Sequence, residues 1–283
     1  MYKDILDTLK IKHYLKNLII FIPLILSSYC KDFSAFIISF IMFISFCFVS
    51  SSVYIFNDLT DIMNDKKHPV KCKRPIADKK ISVKSALILF FIFLSASIFI
   101  SFFINRQCTV IIICYLILNI LYSLSLKNIA FIDIICIAIG FMLRILSGYF
   151  AINEKLSIFV VLTVFFTSLF FTSIKRKTEL KLLKKNILCR MSIQKLTYNE
   201  IEKFTFINLL LSIIFYCIFI IKTGNIYVYI SIIPFSLTIL RLMNLSNKEI
   251  KNDDPLFFII NDKLIKCLHL IFLIILALYI CDK

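Results

Sequence analysis

The segment YIFNDLTDIMNDKKHPVKCKRPIADKK, Tyr54 to Lys80, sets Asn57, Asp61 and Asp65 at i, i+4 and i+8, with Asp58 three residues before Asp61. Continued as a helix, the segment lines these oxygens along one face. Like charges this close repel, and the arrangement is costly unless a divalent cation joins them. Magnesium suits such a set. It is a hard ion, held by one or two carboxylates while substrate phosphates and waters complete its octahedron. Just downstream, His68, Lys71, Lys73 and Arg74 supply donors for an anion. A magnesium-bound diphosphate accounts for both halves of the segment; the competing reading is a solvated loop of mixed charge.

The elements that must position these groups are apolar. The chain is 60% hydrophobic with three glycines in 283 residues, which excludes an ordinary soluble domain and a disordered one. Crossing a hydrocarbon core of about 30 Å takes roughly 20 apolar residues, and open sheets leave backbone groups unsatisfied there. The long apolar runs therefore predict an all-α, multi-pass membrane bundle in one domain, 1–283. About nine helices are expected, near 17–34, 35–56, 83–104, 108–126, 129–152, 156–174, 204–222, 225–243 and 263–281. Pro23 and Lys31 interrupt the first. No small-residue cleavage site follows it, so it is expected to be retained rather than removed as a signal peptide.

Lysine and arginine are held on the cytoplasmic side of a membrane. With nine helices, all but a few of the 33 basic residues fall on the side of the N-terminus; Lys31, Arg106, Lys155, Lys222 and Lys283 fall on the other, and Arg144 lies inside the fifth helix. The expected topology is a cytoplasmic N-terminus and cytoplasmic site loops in the cell (inner or plasma) membrane. That topology accounts for most of the net charge of +16, so no nucleic-acid partner is inferred. Most acidic residues share the cytoplasmic side, which orientation does not explain. Ten cysteines without a C-x-x-C pair and three scattered histidines read as packing residues rather than a zinc site. The P-loop, G-x-G-x-x-G and G-x-S-x-G motifs are all missing from the sequence.

The order N-D-x-x-D-x-x-x-D-x-x-H-P-x-K-x-x-R-P-I-A, filled from Asn57 through Ala77, resembles the first motif of the UbiA-type intramembrane prenyltransferase superfamily. The resemblance implies a nine-helix bundle whose two acidic regions face a cavity open to the cytoplasm. Where that superfamily carries a second carboxylate pair, this chain reads YSLSLKNIAFID, with Tyr122, Lys127 and Asp133, followed by Arg144 and then SIKRKTEL with Lys175, Arg176 and Glu179. Cations replace the second acidic pair, and added fixed positive charge suits a site that joins two phosphorylated substrates. These patches, with Lys16–Asn17 and Asp254–Pro255, look like the branch that contains decaprenyl-phosphate phosphoribosyltransferase.

The branch implies transfer of a 5-phosphoribosyl group from phosphoribosyl diphosphate to a polyprenyl phosphate. Magnesium would be held by Asn57, Asp58, Asp61 and Asp65. Asp58, Asp61 and Asp133 would be catalytic, Asp133 as an orienting or metal-linked group. Lys16, Asn17, His68, Lys71, Arg74, Tyr122, Lys127, Arg144, Lys175, Arg176 and Glu179 would contact substrate. Arg144 is expected to face the cavity on a stripe of small residues, because an intramembrane charge is expensive and marks function by default. Two alternatives stay open: a polyprenyl diphosphate-dependent prenyltransferase acting on an aromatic or other acceptor, and a non-catalytic lipid carrier or scramblase. A homo-oligomer is compatible with the sequence.

Overall fold

A computed structural model of the chain describes residues 2–67, 70–183, 196–247 and 261–282. Every regular element among them is helical, as a hydrocarbon environment requires of a chain with no water to satisfy its backbone. The chain opens with α1 (Tyr2–Leu9), a 3-10 helix (Ile11–Phe21) and the short α2 (Ile22–Leu26). Next come α3 (Phe33–Thr60), α4 (Ile62–Lys67), α5 (Val83–Ile104), α6 (Arg106–Leu124) and α7 (Ile132–Ala151). The remaining elements are α8 (Ile158–Leu183), α9 (Tyr198–Thr223), α10 (Ile226–Ile230), α11 (Ile232–Asn247) and α12 (Lys263–Asp282).

Among the described residues, 8 segments are long and apolar enough to cross a membrane, α10 and α11 counting together as one. This is a multi-pass membrane protein. The first of the nine expected spans is built differently from the rest. An 11-residue 3-10 helix runs into α2, with Pro23 in the first turn of α2, where its missing N–H costs nothing. At about 2.0 Å per 3-10 residue and 1.5 Å per α residue, the two have a length of about 30 Å, enough for one crossing.

Two compact units divide the chain: Met1–Lys127 with Leu143–Leu156, and Asn128–Met142 with Ser157–Lys283. Helix α7 begins in the second and ends in the first. In the first unit Met42, Phe46 and Val49 of α3 pack on Ile111, Ile112 and Tyr115 of α6 and on Ile20. Helices α3 and α5 are stitched by reciprocal serines: Ser45 donates to the Ser97 carbonyl at 2.9 Å and Ser97 to the Ser45 carbonyl at 2.8 Å. Small residues with hydroxyl bonds across the interface are how helices approach closely without a hydrophobic drive between them. Gly148 in α7 shows the same need, since a Cβ there would lie 2.2 Å from the Ile20 carbonyl oxygen. In the second unit Phe170 and Ile174 of α8 meet Leu209 of α9, Ile239 and Leu242 of α11 and Ile265 of α12.

Helix ends depart from the apolar runs for local reasons. Helix α8 continues past the expected 174 through Lys175–Leu183, residues that favour helix in water. Helix α9 starts at Tyr198 rather than 204 because Thr197 and Glu200 form a capping box. That T-x-x-E signal is legible in the sequence. It closes on Gly224 at φ 68, the left-handed cap that glycine adopts without strain.

Candidate active site

The acidic face is assembled at the end of α3. The helix breaks at Asp61, whose backbone leaves helical geometry (φ −98, ψ 6), yet the i to i−4 bonds run on: Asp61 N–H donates to the Asn57 carbonyl at 3.0 Å and Asp65 N–H to the Asp61 carbonyl at 2.8 Å. The register of Asn57, Asp61 and Asp65 thus survives the break, and Asp58 and Asp65 are buried.

Three cations answer the three carboxylates, all within the first unit. Lys10 Nζ lies 2.6 Å from Asp58 Oδ1. Arg74 Nη1 bridges Asp58 Oδ1 at 3.0 Å and Asp65 Oδ2 at 2.7 Å. Lys127 Nζ lies 2.6 Å from Asp61 Oδ1, and Ser123 donates to Asn57 Oδ1 at 3.3 Å. Burial raises the Asp65 carboxyl above its ordinary value, with Arg74 pulling the other way. Burial also draws the Lys10 ammonium below the usual lysine range, while Asp58 opposes the change.

Each cation has a structural reason to be where it is. Arg74 is followed by the buried Pro75, Ile76 and Ala77, and Ile76 packs with Leu9, Ile55 and Phe90, so the R-P-I-A sequence anchors the arginine beside α3. Lys127 sits in a single 3-10 turn, Leu126–Asn128, just after α6. Lys10 joins α1 to the 3-10 helix in the left-handed region (φ 53, ψ 47), a conformation a lysine adopts only when its surroundings over-determine it. Ser51 supplies part of that, donating to the Leu9 carbonyl at 2.9 Å. The lysine also lies over the Tyr54 ring, 5.1 Å from its centre.

Deeper in the first unit, Arg144 is buried. Its Nε donates to Asn17 Oδ1 at 2.7 Å and its Nη2 to the Tyr115 hydroxyl at 2.6 Å, with the guanidinium over the rings of Tyr115 and Phe46. Asn17 in turn donates to Cys47 Sγ at 3.4 Å. The intramembrane arginine thus meets neutral amide and phenol oxygens and aromatic faces.

The second unit gathers Asp133, Arg176 and Glu179. Arg176 Nε donates to Asp133 Oδ2 at 2.7 Å, and Nη1 reaches Glu179 Oε1 and Oε2 at 3.0 and 2.8 Å. Its fork is therefore engaged by two carboxylates. One residue along, Lys177 is completely buried, paired with Glu202 at 2.7 Å and donating to Asn247 Oδ1. Lys181 caps the end of α11 through the Ser246 and Asn247 carbonyls at 2.8 and 2.9 Å, where a cation complements the helix dipole.

Lys16, Lys71, Tyr122 and Lys175 are half-buried. His68, Asp254 and Pro255 lie outside the described residues. Sequence reasoning missed Lys10 and Tyr115. The first had no signal beyond a basic N-terminus. The second is one of 12 tyrosines, set apart only by the arginine it meets in the fold.

Among the described residues, no three acidic, cysteine or histidine side chains form a ready-made metal group; lysine and arginine hold the carboxylates instead. The donor set still fits a hard divalent ion. Asp58, Asp61 and Asp65 are carboxylates along one turn-to-turn register, and Asn57 adds a neutral oxygen, the ligand chemistry magnesium takes.

A family model described as the UbiA prenyltransferase family matches residues 18–262. The decaprenyl-phosphate phosphoribosyltransferase of Mycolicibacterium smegmatis is 33% identical over 142 residues, 50% of this chain and 45% of that protein. Its counterpart in Corynebacterium glutamicum is 35% identical over 144 residues, 50% of this chain and 43% of that protein. The chain thus spans less than half the length of these curated relatives. A solved structure of a UbiA homolog from Archaeoglobus fulgidus, bound to GPP and Mg2+, has a TM-score of 0.74 at 16% identity, covering 99% of this chain and 98% of that one. At that identity the likeness is one of fold. With the family model running from the 3-10 helix to the start of α12, across the whole of the acidic face and the Arg176 triad, the chain belongs to the UbiA prenyltransferase family.

Proposed function

We propose that the protein is a membrane-embedded transferase that moves a 5-phosphoribosyl group from phosphoribosyl diphosphate to a polyprenyl phosphate, releasing diphosphate. The observation that carries this reading is the cluster at the end of α3, where Lys10, Arg74 and Lys127 lie against Asp58, Asp61 and Asp65. Opposite charges meet one for one. Such a cluster accepts a metal-bound polyanion by exchanging partners, the carboxylates turning to the cation and the lysines and arginine turning to phosphate oxygens. Support for the phosphoribosyl branch comes from relatives that carry that name, those of Mycolicibacterium smegmatis and Corynebacterium glutamicum among them.

In this reading Asn57, Asp58, Asp61 and Asp65 hold magnesium, which when bound neutralises charge developing on the leaving diphosphate. Lys10, Lys71, Arg74 and Lys127 bind the diphosphate oxygens. The bond between the anomeric carbon and the diphosphate oxygen breaks with its electron pair going to diphosphate, and positive charge builds on the ribose ring. An oxygen of the lipid phosphate then bonds to that carbon. It is already anionic, so no proton need be removed. Asp133 and Glu179 hold Arg176 in place, and the neighbouring Lys175 serves a phosphate monoester. The apolar helices accommodate the lipid tail and limit hydrolysis of the donor. The basic residues orient the N-terminus and the acidic face to the cytoplasm.

Purified protein with magnesium and phosphoribosyl diphosphate is expected to release diphosphate only when polyprenyl phosphate is supplied. Release from a polyprenyl diphosphate plus an aromatic acceptor, with none from the phosphoribosyl donor, assigns prenyl transfer instead. The description of the matching family as prenyltransferases is the observation that favours this second reading. Transbilayer movement of lipid without release of diphosphate in either mixture would leave a carrier or scramblase.

A further inference from the structure

We infer that Arg144 is a positioning residue rather than a substrate ligand: by holding Asn17 it keeps the N-terminal 3-10 helix extended, and so sets Lys10 against Asp58. The inference rests on the reading of the α3 cluster as a diphosphate site. Its starting point is that the 3-10 helix is 11 residues long, whereas runs beyond three or four residues are uncommon because their hydrogen bonds are poorer. Lys10, in the left-handed region at its N-terminal end, adds a second unfavourable conformation. Something outside the segment must hold it so.

Contacts along its length do this. Arg144 Nε grips Asn17 at 2.7 Å. Tyr14 and Ser51 share a hydrogen bond at 2.7 Å, and Gly148 admits the Ile20 carbonyl where any side chain would collide. Of these, the Arg144 link is charge-assisted and buried, the stronger kind. Two of the guanidinium donors go to Asn17 and the Tyr115 hydroxyl, groups of the protein itself. Relaxation from 3-10 to α geometry shortens a chain by about 0.5 Å per residue. Over the seven residues from Asn17 back to Lys10 that is about 3.5 Å. The Lys10 to Asp58 contact at 2.6 Å does not survive such a shift, so the pairing depends on a residue deep in the membrane.

The test is Arg144→Met and Asn17→Asp in the full-length protein, with two measurements. Hydrogen exchange over residues 11–21 is expected to quicken at least tenfold in Arg144→Met and to stay near wild type in Asn17→Asp, which keeps the acceptor oxygen. Affinity for inorganic diphosphate with magnesium is expected to fall on the order of tenfold in Arg144→Met, the worth of one charge-assisted contact, and to remain within about threefold in Asn17→Asp. A phosphate-binding Arg144 predicts the opposite for Asn17→Asp, because the new carboxylate would neutralise the guanidinium and repel diphosphate. Unchanged exchange and unchanged diphosphate affinity in Arg144→Met overturn the inference alone. No binding of magnesium diphosphate by the wild-type protein overturns the functional reading and the role of Lys10 with it. Should Arg144→Met fail to insert, Arg144→Lys, which keeps the charge and loses the fork, carries the same two measurements.

Discussion

The two charged clusters are layered in opposite order. At the end of α3 the acids lie beneath and the cations above: Asp58 and Asp65 are 2% and 5% exposed, under Lys10 at 15% and Arg74 at 28%. In the second unit the cations lie beneath, Arg176 at 2% and Lys177 at 0%, under Glu179 at 13% and Glu202 at 39%. Asp133, fully buried, is paired with Arg176, and the Lys127–Asp61 pair is evenly exposed. A cation on the open side of a buried carboxylate can turn to an arriving polyanion while the carboxylate turns to the arriving metal. Buried and already gripped by two carboxylates, a guanidinium instead makes a staple, since breaking the pair leaves uncompensated charge in a low dielectric. Under the proposed function, the first cluster exchanges partners and the second keeps them.

The sharpest way to break this contrast is to neutralise one arginine from each. Arg176→Met takes the buried cation away from Asp133 and Glu179 and is expected to cost about 3–5 kcal/mol of stability, read as a lowered Tm in detergent. Arg74→Met takes the cation from Asp65 but leaves Lys10 on Asp58, and because Arg74 is itself more exposed than Arg176 it is expected to lose less stability and more diphosphate affinity; the reverse ranking dissolves the distinction. Next, Asp61→Asn removes a half-buried carboxylate from the exchanging cluster. Turnover is expected to fall about 10²–10³-fold, comparable to losing one electrostatic contact in an active site, with insertion and Tm unaltered. Near-wild-type turnover at saturating magnesium would remove Asp61 from the site.

A gentler probe needs no catalysis. Magnesium with inorganic diphosphate at a hundred times its Kd is expected to stabilise the wild-type protein by about 2.7 kcal/mol. The shift should shrink in Arg74→Met and persist in Arg176→Met, so an equal response from both would show that the clusters are not functionally distinct. The smallest effect concerns the frame around the first cluster. Gly148→Ala drives a Cβ against the Ile20 carbonyl and is expected to cost about 1–3 kcal/mol through overpacking. A neutral result would mean that α7 and the 3-10 helix have slack, weakening the view that this helix is tightly held.

Much was determined by the sequence alone. Apolar runs near 20 residues demand helices in lipid, so α5 and α12 begin where composition places them, and the i, i+4, i+8 register of Asn57, Asp61 and Asp65 is a property of spacing that holds even through the break at Asp61. The family was legible for the same local reason: its first motif is contiguous. Only the tertiary structure decided the partners. Lys10 reaches Asp58 across 48 positions and Arg144 reaches Asn17 across 127, and no periodicity encodes which distant side chains meet. A left-handed lysine and a long 3-10 helix have no sequence signature either, because both are conformations that local preference disfavours and packing imposes. The sequence placed cations near both clusters, and depth of burial decided which of them face outward and which are locked beneath their carboxylates.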